Sequence, residues 1–237
     1  MAVYVYTIVA RSHPQRLDDV PGVGDPPAKL RTVQAEKLSA VVSDAPEGLR
    51  PKRRDLAAHQ AVQEHLMGEG TVLPLQFGFI TTDDETVRAV LEERTEWFLE
   101  RLRVLEGCVE YNLKARQDEN ALLRGILNDS EEARGLNDEI RSGRGGPELP
   151  LALGELVAVE VRARQDRTAD EIVKTLGGFA REEHPSQPAG DDFLNVSFLV
   201  EREKEKPFLA AERDVAERLG PDYDLRLRGP LAAYSFV

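Results

Sequence analysis

Residues 3–9 read VYVYTIV, with a β-branched or aromatic side chain at every position and no charge. Such a run forms a strand buried on both faces, which places it at the centre of a sheet. Met1 and Ala2 supply no basic lead-in, and Arg11, Ser12, His13 and Pro14 follow almost at once, so the run reads as a strand and not as a cleavable leader. No window approaches the roughly 20 apolar residues of a membrane span, and no membrane partner is expected. With 237 residues, 41% of them hydrophobic and 31% charged, the chain has room for one large domain or two small ones. Acidic residues outnumber basic ones by 43 to 31, a net charge of −12. Binding a phosphate backbone needs clustered Lys and Arg, so nucleic acid is not an expected partner. The single cysteine, Cys108, cannot close an intramolecular disulfide, and the cytoplasm is the expected compartment.

The periodicity along the chain alternates between helix and strand. Residues 29–33 and 38–43 flank the polar Ala35-Glu36-Lys37 as a hairpin. In residues 53–67, Leu56, His59, Val62 and Leu66 share one helical face, and Gly68 and Gly70 end the helix. Residues 72–80 (VLPLQFGFI) have strand composition, but Pro74 lacks a ladder donor and Gly78 a side chain, so this strand is bent or begins at Pro74. Thr82, Asp83, Asp84 and Glu85 start a helix whose buried face carries Val87, Val90, Leu91, Phe98, Leu102 and Leu105, with Gly107 as its cap. From Cys108 to Arg116 the period becomes two, with Val109, Tyr111, Leu113 and Ala115 inside and Glu110, Asn112 and Lys114 outside. A polar helical stretch over 118–139 leads to SGRGGPELP at 142–150, the strongest break in the chain. The expected organisation is α+β with two domains, 1–141 and 151–237, joined by that Gly/Pro-rich linker. The second domain is the smaller. It holds a long amphipathic helix, or two shorter ones, over 151–181, a strand over 193–200, a helix over 208–219, and strands over 223–228 and 234–237, the last completing the sheet.

Reactive constellations are sparse. No Walker loop or nucleophile elbow occurs, and Gly22-Val23-Gly24 lacks the third glycine of a dinucleotide turn. Cys108 reads as a small packed thiol at a strand start. His59 and His65 are six residues apart and do not share a helix face, while His13 and His184 stand alone in sequence. His59, on an apolar face, reads as a hydrogen-bonded structural histidine. The acidic pairs and the basic run at 50–54 (RPKRR) fit solvated ends and approaches of helices. No catalytic residue, metal ligand or cofactor is therefore expected.

Two segments are distinctive in wording: VLPLQFG at 72–78 and GPLAAYSFV at 229–237. They resemble the gas vesicle protein family GvpL/GvpF, and the order of the other pieces matches over nearly the whole chain. Family members commonly read Leu-Pro-Leu-Arg-Phe-Gly and end Gly-Pro-Trp-Pro-Pro-Tyr-Ser-Phe; here Gln76 stands in place of the arginine, and Leu231, Ala232 and Ala233 in place of Trp-Pro-Pro. The resemblance implies an N-terminal modified ferredoxin-like sheet with helices on one face and a C-terminal α+β domain. It also implies an accessory role in gas vesicle assembly as a binder of the small hydrophobic shell protein and of other accessory proteins, keeping the shell protein soluble or placing it, not as an enzyme, located in the cytoplasm or in the gas vesicle as a minor component. A small-molecule enzyme on a ferredoxin-like scaffold is the alternative. Leu73, Pro74, Phe77, Gly78, Phe79, Tyr234 and Phe236 are the candidate partner-binding residues. The same residues also read as core strands whose motif preserves the fold.

Overall fold

The computed structural model describes residues 1–143 and 146–237. The chain forms two compact units, one made of residues 1–111, 199–202 and 229–237, the other of 112–198 and 203–228. Unit 1 contains β1 (Val3–Ala10), β2 (Arg31–Gln34), β3 (Leu38–Asp44), α1 (Arg53–Glu69), β4 (Leu73–Pro74), β5 (Ile80–Thr81), α2 (Asp84–Glu93) and α3 (Thr95–Leu105). Its sheet has the order β2-β3-β1-β4, with β5 also pairing to β1, and every pair is antiparallel. This is the ferredoxin-like order, modified because a loop over 11–30 replaces the first crossover helix.

β1 is central, as its composition requires, and it is covered on both sides. A bulge between Val5 and Thr7 shifts its alternation by one residue. Val3, Val5 and Ile8 then pack with Val87 and Leu91 of α2 and Phe98, Leu102 and Leu105 of α3. Tyr4, Tyr6 and Val9 pack with Val62 and Leu66 of α1. Helices therefore lie on both faces, not on one as the resemblance implied. A strand apolar on both faces leaves a whole row of side chains in water unless both are covered. Each large side chain so buried contributes roughly 1.5–3 kcal/mol.

The helix expected from Thr82 to Leu105 is two helices. Arg94 leaves helical geometry at φ −110° and ψ 21°, and Thr95 Oγ1 donates to the Leu91 carbonyl at 2.7 Å. Val90, expected inside, is 40% exposed, and Leu56 of α1 is likewise 42% exposed.

The chain continues through β6 (Cys108–Gln117), α4 (Glu119–Asp129), α5 (Glu131–Ser142), α6 (Leu149–Gly177), β7 (Ala180–Pro185), β8 (Asp192–Glu201), α7 (Glu205–Leu219) and β9 (Tyr223–Leu231), and the second sheet has the order β7-β8-β6-β9. The division between the units falls inside β6, β8 and β9, so the last nine residues belong to the unit that contains the first strand. The units do not divide at the linker expected over 142–150. Part of that linker, Arg144 and Gly145, lies outside the described residues. The helices before and after it share one unit because Leu122, Ile126 and Ala133 of α4 and α5 bury themselves against Leu153, Leu156, Val157 and Val161 of α6. Asp118 and Ser130 cap α4 and α5 by accepting from the Ala121 and Ala133 amides.

β7 lies where the sequence pattern pointed to the end of a helix; its AREEHP is a mostly exposed edge strand with no apolar alternation to reveal it. Residues 234–236 form a 3₁₀ turn and not a sheet strand.

Candidate functional site

The motif at 72–78 surrounds an interruption in the sheet edge. Leu73 and Pro74 are buried and pair with Ile8 and Thr7 of β1. Thr7 Oγ1 donates to the Leu73 carbonyl at 2.7 Å. The Leu75 amide still reaches the Tyr6 carbonyl at 2.9 Å, and the Val5 amide reaches the Phe79 carbonyl at 3.0 Å. Between these bonds, Gln76, Phe77 and Gly78 bulge out of the edge. Gly78 has φ +92°, a conformation that a side chain would strain, which accounts for glycine at the turn.

The bulge rests on a buried polar network. His59 of α1 is 4% exposed. Its Nε2 lies 3.0 Å from the Leu75 carbonyl, which can only accept, so Nε2 carries the proton and Nδ1 accepts from the Tyr4 hydroxyl at 2.8 Å. The Tyr4 oxygen in turn accepts from the Gly78 amide at 3.1 Å. Tyr6 stacks on His59 with ring centroids 5.7 Å apart, and its hydroxyl accepts from the Val23 amide at 2.8 Å. Phe77 is half-buried, edge-on to both Tyr4 and His59 at 5.9 Å. Burial pushes the Tyr4 and Tyr6 hydroxyls up and His59 down from their ordinary values.

The terminal motif meets the same histidine. Tyr234 is half-buried with its ring 6.4 Å from that of His59; burial, and then the charge of Glu110, push its hydroxyl up to about 12. Phe236 is a core residue, and its carbonyl accepts from Arg101. Glu110 was expected on the wet face of its strand but is 3% exposed, because its two carboxylate oxygens accept from the Ser235 amide at 2.9 Å and hydroxyl at 2.7 Å. The glycine that opens the motif, Gly229, leaves no room for a Cβ, which would lie 2.4 Å from the Tyr111 ring.

Two expected results follow from these bonds. Glu110→Ala removes both charge-assisted contacts to Ser235, and the tail should loosen at a cost of about 3 kcal/mol. Faster hydrogen exchange at the Ser235 amide in the variant would show it, and unchanged protection there would refute it. The second concerns pH. His13, like His59, is buried, donates through Nε2 to a carbonyl (Leu66, 3.1 Å), and has its pKa lowered by burial. An unfolded chain protonates both imidazoles as the pH falls through about 6.5, whereas the folded chain does so only at lower pH. Stability is therefore full above that pH and declines below it. The melting temperature should drop between pH 7 and pH 5.5, and replacing His59 by Gln should flatten that drop.

The structure thus sorts the candidate residues. Leu73, Pro74 and Phe236 are core, Phe77 and Tyr234 form a half-buried support around His59, and Gly78 and Phe79 are exposed. Phe79 is 53% exposed, and beside it Ile80, which is not among the candidate residues, is 44% exposed. Two adjacent large apolar residues in a strand normally send one side chain inward, so their joint exposure had no sequence signal beyond Gly78 just before them. Cys108 is half-buried, with Sγ 3.6 Å from the Glu106 carbonyl. Among the described residues no group of three or more His, Cys, Asp or Glu is placed to hold a metal, and no helix is long and apolar enough to cross a membrane.

A family model described as gas vesicle synthesis protein GvpL/GvpF matches residues 2–237. The chain belongs to the GvpL/GvpF family. It is 46% identical to gas vesicle protein F of Streptomyces sp. (strain CB03234) over the full length of both chains, and 26% identical to gas vesicle protein L of the same strain, covering 99% of this chain and 92% of that one. The crystal structure of GvpF from Anabaena sp. PCC7120 superposes with a TM-score of 0.84 at 22% identity, covering 99% of this chain and 97% of the other, which establishes a shared α+β fold. Membership of GvpL/GvpF supports a role in gas vesicle formation. In this GvpL/GvpF chain the two motifs meet at His59, whose ring is flanked by Phe77 of the first and Tyr234 of the second, and Phe79 and Ile80 lie exposed just past the first motif.

Proposed function

We propose that the protein binds the small hydrophobic gas vesicle shell protein in the cytoplasm, keeping it soluble or placing it during vesicle formation, as a binder and not as an enzyme. The observation that carries this reading is the exposed pair Phe79 and Ile80, where the chain rejoins the sheet just after a bulge whose Leu75 carbonyl and Gly78 amide are hydrogen-bonded to His59 and Tyr4. A shell subunit with a large apolar surface aggregates before assembly unless that surface is covered. A rigid apolar contact costs little conformational entropy on binding. The charge of −12 on the surrounding chain would keep the complex dispersed.

Of the two modes such a client could use, strand addition and side-chain docking, the geometry favours docking. β4 and β5 are two residues each and separated by the bulge, a poor template for a continuous strand. Co-expression with the shell protein tests the reading. The shell protein should shift into the soluble fraction and co-purify with this chain; an unchanged insoluble fraction with nothing retained would refute it.

A further inference from the structure

Unit 2 carries a groove of about 770 Å³ that the reading above does not use. Its walls are the start of α4 and the middle of α6, and its apolar floor is Leu122, Leu123, Val157, Val161 and the Tyr223 ring. Leu122 is buried, while Leu123, Val157, Val161 and Tyr223 remain half-exposed. Val157 and Val161 pack inward on the Leu122, Ile126 and Ala133 cluster, so they are fixed in place rather than free to collapse over the opening.

The rim is acidic. Asp118, Glu119, Asp191, Asp222 and Asp224 line it against one cation, Arg116, which is spent on Asp224 at 2.8 Å. Asp118 caps α4. Among the described residues Glu119, Asp191 and Asp222 have no cationic partner. An apolar trough between two helices, edged by unneutralised carboxylates, is complementary to a helix with an apolar stripe and Lys or Arg on both flanks.

We infer that this groove docks a basic amphipathic helix of a partner protein. The anchors at i, i+3 or i+4, and i+7 sit over Leu123, Val157 and Val161, and the flanking cations meet Glu119, Asp191 and Asp222. The partner differs in chemistry from the uncharged apolar surface proposed for Phe79 and Ile80, and the inference does not depend on that proposal. Two sites of different character on separate units would let one chain hold two different proteins.

The test uses the full chain and a designed 15-residue helical peptide with Leu on one face and Lys on the others, followed by fluorescence anisotropy. Controls are a scrambled peptide of the same composition and a peptide with Glu for Lys. The Leu/Lys helix should bind, more tightly at low salt. Asp191→Lys with Asp222→Lys should weaken it by about tenfold or more, and Val157→Glu should do the same. Glu93→Lys with Glu217→Lys, an equal change of charge at exposed sites outside the groove, should leave affinity within about twofold. The inference is overturned if the scrambled peptide binds equally, if both double reversals weaken binding alike, or if no peptide binds. It is also overturned if sedimentation shows that the groove variants abolish self-association of this chain, which would assign the groove to a second copy.

Discussion

Replacing His59 by alanine should lower the stability of unit 1 by about 3–4 kcal/mol. The Leu75 carbonyl loses its donor and the Tyr4 hydroxyl its acceptor, both in a buried setting where an unpaired polar group costs about 1–3 kcal/mol. The Tyr6 ring loses the surface it stacks on. For a chain of this size a change of 1 kcal/mol moves the melting temperature by about 2–4 °C, so a fall near 10 °C is expected. His59→Gln can keep one donor and one acceptor and should recover part of the loss. Gly78 and Phe77 hang on the same network, so the alanine variant should also raise hydrogen exchange at the Gly78 amide. A melting shift below about 2 °C, with Gly78 still protected, would show that the network is not what holds the bulge.

Phe79→Asp should weaken shell-protein retention by about thirtyfold, the effect of losing roughly 2 kcal/mol from a central apolar contact. The melting temperature and far-UV spectrum should stay as they are, since substitutions at exposed positions usually change stability by less than about 0.5 kcal/mol. Phe79→Lys should weaken retention as much as Phe79→Asp if apolar contact is the driving term. A loss with one sign of charge only would assign the effect to electrostatics. Phe77→Asp is the contrasting variant: it places a charge against Tyr4 and His59 and should unfold unit 1. If Phe79→Asp leaves the shell protein bound and soluble, the proposed surface is wrong whatever the role of the protein in vesicle formation.

Both results depend on neighbours that sequence spacing does not reveal. His59 could be read as a structural histidine because its position on the apolar face of a helix leaves burial as the ordinary outcome. Its partners could not be read: Tyr4 is 55 positions away, and the Leu75 carbonyl lies just past a two-residue strand, where the edge is interrupted. Glu110 misled for the same reason. Alternation assigns it to water, and only the return of Ser235 across 125 positions gives a buried carboxylate its donors.

What the sequence determined by itself was local and periodic. The unbroken run at residues 3–9 made β1 a central strand, the hairpin of β2 and β3 followed from its polar turn, and the two motifs identified the family. These features depend on patterns a few residues long, where backbone geometry dictates which side chains share a face. The tertiary structure alone decided that helices cover both faces of the first sheet, that the units divide inside β6, β8 and β9, and which motif residues remain at the surface. Leu73, Phe77 and Phe79 have similar chemistry in one short stretch and differ only in what packs over them. Burial is a property of the whole folded chain: Phe77 faces Tyr4 and His59, while Phe79, two residues on and bonded to β1 through its carbonyl, has its side chain half in solvent.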